Sequence, residues 1–220
     1  MKKNKQFWIY TLAVISVLLL LTGNCKKAED DNDNSPPKDY DGKVYKTVTI
    51  GSQVWMAENL STTKLNDGII IENVTYDNNR WSFMETPGYC TYKSEILYNG
   101  RAVATGKLAP KGWHVPTDAD WTTLITFLGG EGVAGGKMKE AGTTHWIEPN
   151  QGATNSSGFT ALPAGFRNGS GWFYYSGVYG YWWGSDSDGG LSYINLSSYS
   201  EAVIRGSVSN SGFSVRCIKD

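Results

Sequence analysis

The side chains able to do acid–base, nucleophilic or metal chemistry are few and far apart in this sequence. There are two histidines, His114 and His145. Neither belongs to an HExxH helix or to any Cys/His cluster with zinc-ligand spacing. The chain has no GxSxG turn and no phosphate-binding glycine loop. Cys90 and Cys217 are the only cysteines after Cys25, and nothing in their surroundings marks either as a nucleophile. Glu148-Pro149-Asn150 offers a carboxylate and an amide oxygen, which suit a hard cation. The tripeptide stands alone, however, so no calcium site is expected from it. Asp186-Ser187-Asp188-Gly189 lacks the closing glutamate of a calcium loop and reads as a turn. His114 reads as a packed core histidine. The sequence therefore predicts no catalytic residue, no metal site and no cofactor, and the chain is not expected to be an enzyme.

Aromatic side chains are the abundant chemical resource. The densest run is Trp172-Phe173-Tyr174-Tyr175, followed by Tyr179, Tyr181, Trp182 and Trp183. Aromatic faces stack on sugar rings and mark interaction surfaces when exposed. Trp172 and Tyr174 sit in a glycine-flanked loop and are the candidate ligand-contacting residues. The alternative is that these residues form strands whose alternate faces pack in the core.

The elements that must position these residues can be read from pattern. Val44 to Ile50 alternates and is rich in β-branched residues. Gly51-Ser52 makes a two-residue turn, and Gln53 to Ala57 returns, which predicts a hairpin. Residues 61–100 are irregular, with a short strand expected at Ile69 to Glu72. Thr117 is a natural helix N-cap, with Asp118 and Asp120 in the first turn. Trp121, Leu124, Ile125 and Leu128 then form one apolar helical face, and Gly129-Gly130 stops the helix. A second helical piece is expected from Gly136 to Ala141. Strands are expected at Tyr181 to Gly184, Ser192 to Leu196, Ala202 to Arg205 and Phe213 to Ile218, separated by Gly, Ser, Asn and Asp. No βαβ rhythm appears. The predicted class is α+β, a twisted antiparallel sheet with one or two helices and long loops.

The N-terminus carries an address. Lys2, Lys3 and Lys5 precede an apolar run from Phe7 to Leu21. This is the secretory-signal layout, shorter than the ~20 residues of a comfortable membrane span. Thr22-Gly23-Asn24-Cys25 resembles a lipobox, so residues 1–24 are expected to be removed and Cys25 to carry the lipid. Thr22 and Asn24 depart from the usual Leu and Gly or Ala. Residues 25–39 are acidic and end in Pro36-Pro37, as a solvated tether would. Residues 40–220 are left as a single globular domain. Losing the three signal lysines takes the formal charge from −1 to −4. There is no basic patch for nucleic acid. The expected location is the outer membrane, lipid-anchored and at the cell surface, with the periplasmic face as the alternative.

The motifs together resemble a known family. Val44-Tyr45-Lys46-Thr47-Val48 with Ile50-Gly51-Ser52-Gln53-Val54-Trp55-Met56-Ala57-Glu58-Asn59-Leu60 is similar to the opening of the Fibrobacter succinogenes major paralogous domain. Ala109-Pro110-Lys111-Gly112-Trp113-His114-Val115-Pro116-Thr117-Asp118, Gly158-Phe159, Leu162-Pro163-Ala164-Gly165, Gly180-Tyr181-Trp182-Trp183 and Gly212-Phe213-Ser214-Val215-Arg216-Cys217 follow in family order. The resemblance implies a lipoprotein or secreted location in Bacteroidetes and Fibrobacteres. It implies a fold like those of C-type lectins and sulfatase-modifying factors, and no established reaction. True lectins pair Glu-Pro-Asn with a Trp-Asn-Asp strand that is absent here. Ala109 stands where some members carry a cysteine, which leaves Cys90 as the partner available to Cys217. A Cys90–Cys217 disulfide and two buried free thiols both remain open. The functional expectation is a non-catalytic binding or adhesion module for a glycan or protein, attached to the membrane through its lipid. A structural subunit of an envelope complex is the alternative.

Overall fold

The computed structural model describes residues 35–186, 188–208 and 210–220. The expected signal, Cys25 and residues 25–34 of the tether lie outside them. The folded unit begins at Pro36, so the tether expected through residue 39 ends sooner. The Pro37 carbonyl accepts from the Tyr45 N–H at 2.9 Å. Asp39 is 7% exposed, with its carboxylate accepting from the Lys43 N–H and the Tyr45 hydroxyl.

In chain order the elements are β1 (Thr47–Ile50), β2 (Gln53–Met56), β3 (Glu72–Asn73), α1 (Asn78–Ser82), β4 (Gly88–Tyr92), β5 (Glu95–Asn99), α2 (Gly100–Ala104), β6 (Trp113–His114), α3 (Asp118–Phe127), α4 (Glu131–Met138), β7 (Phe166–Arg167), β8 (Phe173–Tyr174), β9 (Tyr179–Ser185), β10 (Leu191–Ser197), β11 (Val203–Ser207), β12 (Gly212–Phe213) and β13 (Ile218–Lys219). They form a mixed α+β fold with three sheets, ordered β1-β2-β13-β6, β11-β10-β9 and β3-β4-β5-β12-β7-β8. Among the strand pairs only β3 with β4 is parallel. No helix of the described residues is long and apolar enough to cross a membrane.

Helix α3 forms as its sequence dictates. Thr117 and Asp120 make a reciprocal capping box, and Trp121, Leu124 and Ile125 are buried. That face packs on one side of β9–β10–β11. There Trp55, Trp121, Phe159, Trp182, Ile194 and Leu196 share a core with α4. The opposite side of the same sheet carries the aromatic face described below. Seven tryptophans are buried, at 8% exposure or less, and Trp172 alone of those described is open, at 60%.

Residues 61–100, expected to be irregular, carry α1, β4 and β5, and with α2 the described residues hold four helices rather than one or two. Three further elements shift. The second helix spans Glu131–Met138, not 136–141. Gly135 lies so close to the backbone carbonyls of Glu201 and Ala202 that a Cβ would collide with them. The glycines that weaken the helical signal are thus the ones its packing needs. The last strand is broken: Ser214 bridges to Trp182 between β12 and β13, and the two pieces join different sheets. The strand expected at Ile69 to Glu72 is reduced to a bridge at Ile70 and to β3.

Two buried cations hold the loops. The ammonium of Lys139, fully buried, donates to the carbonyls of Gln151, Ser197 and Ser200, each at 2.8 Å. The guanidinium of Arg216, also fully buried, lies over the Phe159 ring at 4.3 Å and donates to Asn59 Oδ1 at 2.7 Å. Burial pulls its pKa down to about 9, so it stays charged at neutral pH.

Candidate binding face

The aromatic run becomes a face because β9 alternates. Trp182 points into the core, where its indole N–H donates to Asn59 Oδ1 at 2.9 Å. Tyr179 and Tyr181 lie on the other side and are half-buried. The antiparallel register sets Tyr193 opposite Trp183 and Asn195 opposite Tyr181. This brings the Tyr193 ring to 5.7 Å from that of Tyr181.

The hairpin of β7 and β8 adds the next rings by the same alternation. Arg167 turns inward and is fully buried. Its guanidinium lies 4.5 Å from the Trp81 ring and 4.8 Å from that of Phe173, and it donates to the carbonyls of Val74 and Gly171 at 2.8 and 2.9 Å. Phe166, its neighbour, therefore faces the other way. It meets Tyr174 at 5.6 Å and Tyr181 at 5.0 Å. Phe213 backs the group, 5.1 Å from Tyr181 and 5.2 Å from Tyr193.

Tyr175 completes it under strain. Its φ is 60°, a left-handed conformation that costs an L-residue roughly 1–2 kcal/mol. The turn is held because Gly165 sits directly beneath it, where a Cβ would strike the backbone of Tyr174 and Ser176. The result is a ring 54% exposed, 5.3 Å from that of Tyr179. Such strain in an exposed aromatic residue points to a use for the ring.

Two chemical properties set this face apart. First, the strand positions on this side of β9, β10 and β11, together with Phe166, Trp172 and Tyr174, carry no charged residue. Second, the hydroxyls of Tyr174, Tyr175, Tyr179, Tyr181 and Tyr193 have no hydrogen-bond partner among the described residues. Tyr40, Tyr76, Tyr92 and Tyr199 also lack one, so what distinguishes the five is that they are grouped on one surface. The structural tyrosines differ. Tyr98 donates to the Thr62 carbonyl at 2.7 Å, Tyr45 donates to Asp39, and Tyr89 accepts from Asn73 at 3.3 Å.

The described fold, face included, is matched by the profile of the Fibrobacter succinogenes major domain over residues 48–219. The chain belongs to that family. No curated protein and no solved structure matches it. Every ring of the face lies within the family domain.

Trp172 and Tyr174, the two residues singled out from sequence, are 60% and 40% exposed. Tyr174 joins the face through Phe166. Trp172 stands two residues earlier on the hairpin tip, its N–H donating to Asn168 Oδ1 at 2.9 Å. Phe166 and Tyr193 were not singled out. Neither belongs to the 172–183 run, and only tertiary pairing brings them to it.

Burial and the neighbouring Tyr193, Tyr179 and Tyr175 push the Tyr181 pKa up to about 12. A tyrosine raised in the fold contributes stability that is fully present below the unfolded pKa, near 10, and is lost as pH rises through 12. Wild type should therefore lose more stability than Tyr181→Phe between pH 10 and 12, by denaturant titration at each pH. Equal losses would remove Tyr181 as the cause.

The family domain does not assemble the remaining polar candidates. His114 is not a packed core residue, because its ring is only partly covered. Its Nδ1 lies 2.7 Å from Asp220 and its Nε2 lies 3.1 Å from Asp120. The polar partners draw it to the rim of the β6 sheet. His145 is exposed and pairs with Glu140 at 2.9 Å. Glu148 is exposed while Asn150 is buried, its amide donating to the carbonyls of Glu140 and Gly142. The Asn150 Oδ1 is buried with no hydrogen-bond partner among the described residues. Asp186 accepts from the N–H groups of Asp188 and Gly190, closing its own turn. Among the described residues no three His, Cys, Asp or Glu side chains are grouped to hold a metal.

Cys90 and Cys217 are free thiols rather than a disulfide. They lie in different core clusters, Cys90 with Trp81 and Leu97, Cys217 with Tyr98 and Val215. Burial pushes the Cys90 thiol up to about 11 and Cys217 higher still. Both are thus kept from forming the reactive thiolate. In Cys25→Ala protein, a thiol reagent should leave the native domain unmodified and titrate both thiols after denaturation. Rapid labelling of the native state would contradict their burial.

A hollow of about 390 Å³ is lined by Trp81, Met84, Asn99, Arg101, Leu191 and Asn210. A polar cleft runs over Arg216 between Glu58, Glu95 and Leu162. A third hollow, about 280 Å³, is lined by Lys93, Glu95, His145, Leu162, Ser176 and Gly177, next to Tyr175 in the chain.

Proposed function

We propose that this family domain is a non-catalytic binding module, C-type-lectin-like in its plan, that takes a glycan on the tyrosine face. The observation that carries the reading is the set of five tyrosine hydroxyls left without protein partners on an uncharged, ring-lined surface. A sugar presents C–H bonds on one face and hydroxyls around its edge. The negative face of an aromatic ring attracts the former, and a phenol hydroxyl pairs with the latter. Partly open rings gathered on one surface, with Tyr174 and Tyr175 exposed, mark an interaction site.

Around this module we place the expected address. Cys25 carries lipid, which contributes ~0.8 kcal/mol per buried methylene to membrane attachment. The acidic tether presents the domain outside the outer membrane. Palmitate labelling of wild type and Cys25→Ala tests the anchor independently of the ligand.

The ligand reading is tested by glycan-array binding and titration calorimetry on wild type and Tyr179→Ala. Binding of at least one glycan, weakened about tenfold by the substitution, or about 1.4 kcal/mol, is expected. An array without signal would sink the reading, and would favour a protein partner on the same face.

A further inference from the structure

Resting on that reading, we infer the class of glycan: a single neutral polysaccharide chain in solution, rather than the flat surface of a crystalline polysaccharide or an acidic chain. Ring tilt and charge set this class. From Tyr175 to Tyr179, Tyr181 and Tyr193 the centroids step by 5.3, 6.1 and 5.7 Å. The planes turn by 75°, 43° and 59° at those steps. A crystalline sugar surface offers its rings in one plane, and only coplanar aromatic rings can stack on several of them together. Along this row a planar ligand would meet one ring face-on and the next on edge. A free chain rotates about each glycosidic bond, so successive sugars can turn to follow successive rings.

The lack of charge sets the second limit. An acidic polysaccharide bound along β9 and β10 would give up hydration of its carboxylates where no strand position on that side carries a cation. Lys139, Arg167 and Arg216 are fully buried, and each is engaged in hydrogen bonds within the core. A neutral chain incurs no such penalty. Its hydroxyls meet the unpartnered phenols, and Ser197 continues the same side of β10.

The test is native affinity electrophoresis through soluble hydroxyethylcellulose, soluble galactomannan and polygalacturonate, with depletion by microcrystalline cellulose alongside. Wild type and Tyr175→Gly are run together. The expected result is retardation of wild type by at least one neutral chain, with affinity about tenfold or more above that for polygalacturonate. No depletion by the solid is expected, and Tyr175→Gly should migrate unretarded. Depletion by cellulose as strong as the soluble interaction would overturn the inference and leave glycan binding intact. So would a preference for polygalacturonate that fades with salt. Absence of binding in every arm, with binding also absent on the array, defeats the functional reading itself.

Discussion

Tyr175→Gly should weaken ligand binding about tenfold or more while lowering the stability of the fold by only about 1–2 kcal/mol. Removing an aromatic ring normally destabilises a protein, so the expected pairing of effects is diagnostic. At φ 60° tyrosine bears roughly 1–2 kcal/mol of backbone strain, which glycine does not. Against that relief stands the loss of ring contacts to Phe166 at 6.1 Å, Tyr174 at 5.8 Å and Tyr179 at 5.3 Å, each worth about 0.5–1.5 kcal/mol. The ring is 54% exposed, so little buried area is lost. The relief offsets part of the loss, and denaturant unfolding should place the variant about 1–2 kcal/mol below wild type, still folded. Affinity should fall about tenfold or more. Tyr181→Ala cannot make this distinction, because Tyr181 is packed on Phe213 and its loss weakens the core as well. A Tyr175→Gly protein that binds normally would show that the strained turn serves only the fold.

Lys139→Met carries the largest expected loss of stability. Methionine nearly matches the lysine in volume, so packing is little altered. The carbonyls of Gln151, Ser197 and Ser200, each now bonded to the ammonium at 2.8 Å, lose their donor. Leaving a buried acceptor unsatisfied costs about 1–3 kcal/mol. Removing the charge returns part of that, because burial already pulls the Lys139 pKa down to about 8. A net loss of about 3 kcal/mol is expected, and for a domain of this size it lowers Tm by roughly 6–12 °C. Thermal unfolding measures it. A change under about 2 °C would mean that water replaces the ammonium in the cage. The residues pinned are the 150–152 loop and the turn after β10, so the loss should leave the tyrosine row in place.

The parts of this fold that were legible in the sequence are those written in local chemistry. Thr117 and Asp120 specify the start of α3 by hydrogen bonds three residues apart, and Gly51-Ser52 specifies the first turn. The alternation of β9 was visible as well, with Trp182 inward and Tyr181 outward. The parts that were not legible depend on distant partners. Gly135 and Gly136 of helix α4 are needed because the backbone of Glu201, Ala202 and Gly152 presses against them, and no helical pattern encodes that approach. His114 sits next to a core tryptophan in sequence, yet Asp220, more than a hundred residues later, draws its ring to the surface. The thiols could be read either way until each was placed in its own cluster.

The candidate face was half legible for the same reason. Trp172 and Tyr174 stood out because glycines flank them. Phe166 and Tyr193 looked like ordinary strand residues. Their membership follows from the β7–β8 pairing and from the β9–β10 register, and a slip of one residue would turn Tyr193 into the core. The unpartnered hydroxyls, which carry the functional reading, are a property of three-dimensional surroundings alone.

The most direct measurement is an aromatic-region NMR titration of the lipid-free protein with a soluble neutral oligosaccharide bound in the electrophoresis arm. The account predicts shifts concentrated on the rings of Tyr175, Tyr179, Tyr181 and Tyr193, with the buried rings of Tyr45 and Tyr98 unmoved. Shifts confined to residues lining the cleft over Arg216, with the four tyrosines silent, would contradict it.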